Sequence, residues 1–236
     1  MIDLNADVGE GCDDAAVLPY LTRVSIACGG HAGDAASMRR ALVLAAAHGV
    51  AAGAHPSYPD RAGFGRRALP ATPDAVAGWV RAQTEALAEA ASRLGLRLAH
   101  VKPHGALYNV AAVDREVAEA VALAVAAVDT SLVLVGLAGS RLPAAGRGAG
   151  LAVLNEGFAD RRYDAAGLLV SRETPGAVLT DPAAAAAQAL RLATRQALDA
   201  LPAGSVTIEV DTLCLHSDTP GAINIARAVH AALNPG

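Results

Sequence analysis

Seven short segments rich in Val, Ile and Leu recur along this chain, at 2–6, 24–28, 50–54, 97–102, 132–136, 151–155 and 206–215, with longer helical patterns between them. A strand that is followed by a helix returns parallel to its predecessor, so this alternation predicts a mainly parallel sheet covered by helices. The helix starts are marked in the sequence. Thr72-Pro73, Asp181-Pro182 and Thr219-Pro220 each place a capping side chain before a proline, and Asp34 and Asp114 precede two more helical patterns. In the helix opened by Thr72, Val76, Val80, Leu87 and Leu94 keep three-to-four spacing, with Gln83 as a polar exception. Polar residues follow nearly every strand. That favours closure into a barrel, where the loops after the strands build the active site, over an open doubly wound sheet.

Composition narrows the class further. At 236 residues the chain is read as one catalytic domain, 1–236, large enough to bury a substantial core. Hydrophobic residues make up 53% but aromatics only 3%, which suits close helix-on-sheet packing. The net charge of −4, with no basic run, argues against a nucleic-acid surface. Cys12, Cys28 and Cys214 are scattered, which argues against a disulfide scaffold or a cysteine zinc site and fits a reducing cytoplasm. The start, MIDLNADVGEG, has no basic region leading into an apolar stretch, so no signal peptide is expected. The apolar runs are too short to span a membrane.

Of the 19 lysines and arginines, one alone is lysine: Lys102, in VKPHGALYN. Lysine carries a compact ammonium whose pKa responds to burial, whereas arginine is a planar fork that stays protonated. A chain that otherwise uses arginine has kept the ammonium here, beside His104, Tyr108 and Asn109. The other strand ends are also polar. The first gives Asn5, Asp7 and Glu10; the second, His31 and Asp34; the third, His55, Asp60, Arg61, Arg66 and Arg67. The sixth gives Glu156, Asp160, Arg161 and Arg162, and the seventh His216 and Asp218. Singly these have plain explanations: Asp7 as a turn residue, Asp34 and Asp218 as helix caps, the arginines as a solvated loop, Cys28 as packing. Jointly, carboxylates, histidines and one lysine recur at the same end of successive strands, among glycines that permit close backbone approach. The polar segment 156–180 is expected to lie over the site as a lid.

The segments DLNADVGEG, SIACGGHAGD, GAHPSYPDRAGFGRR, VKPHGALYN, EGFADRRY and SDTPGA together resemble the LamB/YcsF family, from residue 3 to beyond residue 221. The resemblance implies a seven-stranded parallel β/α barrel similar to polysaccharide deacetylases and certain glycoside hydrolases. It also implies ATP-dependent opening of 5-oxo-L-proline (pyroglutamate) to L-glutamate, in a complex with 5-oxoprolinase subunits B and C. Gly30 stands where the family commonly has an aromatic, and Ser217 where it commonly has glycine.

The implied reaction assigns provisional roles. Opening a resonance-stabilised lactam is helped by phosphorylating its oxygen, yet the chain has no GxxxxGK[ST] loop, so use of ATP is expected through the partner subunits. Hydrolysis needs a base, a proton for the departing nitrogen and a cation for developing charge. The expected catalytic set is Asp7 as base or orienting carboxylate, His55 and His104 for proton transfer, Lys102 at an oxyanion or phosphate, and Asp218. Asn5, His31, Glu156 and His216 are expected around the substrate, with Arg66 or Arg67 on its carboxylate. Two alternatives stand beside this. One is a metal-dependent deacetylase or amidohydrolase, with a divalent metal on Asp7, His31, His55 and His104. The other is a non-catalytic component that only binds 5-oxoproline.

Overall fold

The computed structural model describes residues 2–216, 219 and 221–234. Seven parallel strands close into a barrel: β1 (Asp3–Val8), β2 (Arg23–Ala27), β3 (Ala51–His55), β4 (His100–Val101), β5 (Val133–Leu137), β6 (Val153–Phe158) and, after a small antiparallel hairpin of β7 (Leu198–Asp199) and β8 (Ser205–Val206), β9 (Thr212–Leu215). β1 closes the ring by pairing with both β2 and β9. All seven expected strands are present. The run 206–215 divides, however: Val206 joins the hairpin and Thr212–Leu215 alone reach the barrel, after Asp211 caps the Asn155 backbone N–H at 2.8 Å.

The strand period explains how the site is presented. In β1, Leu4, Ala6 and Val8 point to the apolar layer, so Asn5 and Asp7 face the other way, into the barrel. Lower in the barrel, Ser25, Gly53 and His100 lie side by side on β2, β3 and β4. The Ser25 hydroxyl meets His100 Nε2 at 3.2 Å across the glycine. A Cβ on Gly53 would lie 2.4 Å from the imidazole, so the ring occupies the space that a side chain there would need.

Helices cover the outside: α1 (Asp14–Val17), α2 (Ala35–Ala47), α3 (Pro73–Ser92), α4 (Gly105–Val113), α5 (Arg115–Val128), α6 (Arg141–Gly148), α7 (Pro182–Ala193) and α8 (Ala222–Leu233). The expected caps operate. Asp34 forms a capping box with Ser37, Asp114 accepts from the Glu116 and Val117 amides, and Thr72 and Asp181 cap the helices begun by Pro73 and Pro182. α8 begins two residues later than its sequence signal, from Gly221 in a left-handed conformation. Among the described residues no helix is long and apolar enough to cross a membrane.

The loop after β6 folds back through antiparallel bridges, Arg161 to Val178 and Tyr163 to Leu169. Its turn, around 168–173, contributes one wall of the cavity at the barrel mouth, as expected for a lid segment.

Candidate active site

Residues from three strands and from α4 converge on the ammonium of Lys102, which stands in the loop that follows β4. Its Nζ lies 2.7 Å from Asp7 Oδ1 (β1), 2.9 Å from Asn5 Oδ1 (β1), 3.0 Å from Glu156 Oε1 (β6) and 3.3 Å from Cys214 Sγ (β9). Tyr108, on α4, donates its hydroxyl to Glu156 Oε2 at 2.7 Å. The lysine is 2% exposed. Burial alone favours the neutral amine, but Asp7, Cys214 and Glu156 outweigh it and hold the ammonium well above the ordinary lysine range. Burial likewise opposes ionisation of Asp7, yet His55 and Lys102 keep its carboxyl well below the usual carboxylate range. An ammonium has three N–H donors. Asn5, Glu156 and Cys214 take all three, and Asp7 Oδ1 lies against the charge as an ion pair.

The other side of Asp7 faces histidines. His55 Nε2 is 3.3 Å from Asp7 Oδ2, and His55 Nδ1 donates to the Lys102 carbonyl at 2.7 Å. His104 Nε2 donates to the Phe64 carbonyl at 2.9 Å, and its Nδ1 lies 3.0 Å from His55 Nε2. Carbonyls only accept, so each ring's proton is assigned to its carbonyl-facing nitrogen. With both rings neutral the two facing nitrogens would both be lone pairs, and a proton on either would lie between them. His31 stacks on His104, with ring centroids 3.6 Å apart, and its Nε2 meets Glu10 Oε1 at 2.7 Å. Burial first, and His55 beside each ring, lowers the pKa of both His31 and His104 to about 3.

The loop after β3 presses close to this group. Gly65, at φ +64°, allows it: a Cβ there would be 2.8 Å from His31 Cβ and 2.9 Å from His104 Cδ2. Phe64 adopts φ 53° without that freedom, a conformation that costs about 1–2 kcal/mol and here presents its carbonyl to His104. The same loop explains Gly30. A Cβ on Gly30 would lie 2.3 Å from Gln83 Oε1, because the Gln83 amide reaches from α3 to bind both Ser57 N and Ser57 O. The polar exception on α3 therefore fills the space that a larger residue at 30 would take.

Farther round the mouth, buried Asp160 accepts from His216 N at 3.1 Å and lies 2.8 Å from His216 Nδ1. Burial raises the pKa of Asp160, but His216 outweighs that and the net shift is downward. Ser217 and Asp218 lie outside the described residues.

A cavity of about 580 Å³ opens over these groups, lined by Asp7, His55, Lys102, His104, Glu156 and His216 among others. Arg66 also lines it, with its guanidinium 5.0 Å from the Phe64 ring centroid. Asn5 and His31 sit behind the lining, against Lys102 and Glu10. Of the two arginines expected on a substrate carboxylate, Arg66 lines the cavity, whereas Arg67 does not and pairs with Asp60, its side chain 65% exposed. Sequence reading placed Glu10 and Asp160 at strand ends without giving them a role, and nothing in the sequence marked Cys214.

Glu10, His31, His55 and His104 each offer one ligand atom, all within 4.8 Å of one another. Three imidazole nitrogens and a carboxylate suit zinc or another first-row divalent ion. The facing lone pairs of His55 and His104 fit such an ion. Of the residues expected around a metal, His31, His55 and His104 come together here, with Glu10 beside them, while Asp7 lies against Lys102.

A closed parallel barrel with this cluster of acids, histidines and a buried lysine at its mouth defines a class, and the LamB/YcsF family model matches residues 2–235; the chain belongs to that family. Particular relatives are close. The chain is 49% identical over 238 residues to the 5-oxoprolinase A subunit of Chloroflexus aurantiacus, covering 98% of this chain and 94% of the relative. It is 50% identical over 238 residues to the 5-oxoprolinase A subunit of Methylococcus capsulatus, covering 98% and 92%. The crystal structure of a lactam utilization protein from Thermus thermophilus is similar with a TM-score of 0.91 at 45% identity, over 98% of this chain and 95% of that one. A structure from Enterococcus faecalis, at 14% identity and TM-score 0.53 over 97% and 89%, shares the fold alone.

Proposed function

We propose that this chain is a single catalytic domain that opens 5-oxo-L-proline to L-glutamate in the cytoplasm, as the A component of an ATP-dependent 5-oxoprolinase whose B and C subunits supply the activation. The observation that carries this reading is the Asp7 carboxylate, held ionised between Lys102 and His55 on the cavity wall. The names of relatives that cover nearly the whole chain support the substrate.

Asp7 is poised to orient the attacking water. Its low pKa makes it a better acceptor of a hydrogen bond than a strong base, and His55 Nε2, 3.3 Å away, takes the proton. The 3.0 Å step to His104 Nδ1 carries that proton on to the departing ring nitrogen. Lys102 has no donor left for an oxyanion, so it is a positioning residue: it keeps Asp7 charged and in place. This revises the role that its isolation in the sequence suggested.

The facing lone pairs of His55 and His104 favour a second reading, a metal-assisted amidohydrolase. A divalent ion held by Glu10, His31, His55 and His104 would polarise a carbonyl and acidify water. Metal content of chain purified without chelator tests it: a stoichiometric ion supports this reading and its absence removes it.

The primary test is glutamate release from 5-oxoproline, with and without ATP and the partner subunits. Turnover is expected only with all components present. Robust turnover by the chain alone would overturn the division of labour, and no turnover under any condition would overturn the substrate. Asp7→Asn separates catalysis from mere binding: it should abolish turnover and leave ligand binding in place.

A further inference from the structure

Arg161 follows β6 in the loop that walls the cavity, and it lines that cavity. It is 6% exposed. Its backbone is fixed on two sides, by the bridge to Val178 and by Gln188 Nε2 donating to its carbonyl at 2.7 Å. Of its guanidinium, Nη2 donates to the Val170 carbonyl at 2.6 Å, while the buried Nε has no hydrogen-bond partner in the protein. A buried cation without an opposite charge is costly. The carboxylate next in sequence does not relieve it, because Asp160 is engaged by His216 and Thr219. Among the described residues Arg161 forms no ion pair. Burial, and then the nearby charge of Arg172, pulls the Arg161 pKa down to about 10, the direction expected of a guanidinium short of an anion.

We infer that Arg161 is the anchor for the carboxylate of the substrate, the group that makes this cavity select a carboxylated lactam over a bare one. The inference rests on the 5-oxoproline reading above and names the residue that recognises its acid group. A guanidinium offers the planar fork that a carboxylate matches, and the surrounding Leu168, Leu169 and Val170 shield such a contact from water. The anchored ring remains in the cavity that Asp7, His55 and His104 also line.

Calorimetric titration of the full chain with 5-oxoproline and with 2-pyrrolidinone, the same ring without the carboxylate, tests this. The wild-type chain should prefer 5-oxoproline by about tenfold to a hundredfold, the range of a hydrogen bond to a charged group. Arg161→Gln should abolish that preference and leave pyrrolidinone binding unchanged. Arg161→Lys, which keeps the charge and loses the fork, should retain part of the preference and provides the reading if the glutamine variant unfolds. An Arg161→Gln chain with wild-type preference would overturn the anchor alone, as would a wild-type chain that binds both lactams equally. A wild-type chain that binds neither would overturn the 5-oxoproline reading, and the anchor with it.

Discussion

The two sides of Asp7 are built on opposite principles. Toward Lys102, every donor meets an acceptor: Asn5, Glu156 and Cys214 take the ammonium's three hydrogens, Asp7 pairs with its charge, and Tyr108 completes Glu156. Toward His55, the facing nitrogens of two imidazoles lie 3.0 Å apart without a proton assigned between them, and His31 Nδ1 is buried with no hydrogen-bond partner. Donors that have all found acceptors fix geometry, whereas facing lone pairs leave room for an ion. The lysine side is therefore the frame of the site, and the histidine side is where the chemistry has room to occur.

The largest test of that comparison is removal of the frame's charge. Lys102→Met leaves Asp7 and Glu156 buried without their cation, which should cost about 3–5 kcal/mol in unfolding free energy. Turnover of the assembled enzyme should fall by roughly two to three decades, the scale of a lost electrostatic contact in a water-poor site. Denaturant unfolding beside the activity assay measures both. A stable Lys102→Met variant would show that the network is not a frame.

The histidine side predicts a smaller effect, visible with pH. His31 and His104 have folded pKa values near 3, below the ordinary 6.5, so the unfolded chain binds more protons between those values. Their contribution is complete above about pH 6.5 and is lost as pH falls toward about 3. The urea midpoint should decline through that window, and His104→Phe, which keeps a ring against His31, should flatten the decline. An unchanged slope in that variant would contradict the buried neutral rings. The smallest effect is expected at Arg67, outside both sides. Its guanidinium is mostly exposed and reaches Asp60 rather than the cavity, so Arg67→Ala should leave turnover near normal.

Much of this arrangement was legible in the sequence, for identifiable reasons. A barrel strand is a short apolar run with its functional residue at one end, so Asp7, His55 and Lys102 could be placed on one mouth from spacing alone. α4 was harder to see. Ala106, Leu107, Tyr108, Ala111 and Ala112 are all buried, so the segment has no polar face to give a helical period. The partnership of Glu10 with His31 spans 21 residues and needs β1 and β2 to pair, and that of Lys102 with Cys214 spans 112 and reaches across the barrel. Gln83 was legible as an exception to its helix pattern but not as a clasp on Ser57, because its partner lies 26 residues away in another loop.

The glycine beneath the site has a consequence for the history of this fold. Position 53 and position 100 share one volume inside the barrel, and the imidazole of His100 now holds it. Neither can drift alone. A lineage that gained a side chain at 53 would first have to shrink residue 100, and Ser25 would then lose its partner across the gap. These three sites on three strands are expected to change as a set, so that aligned relatives should exchange Ser25, Gly53 and His100 together or keep all three.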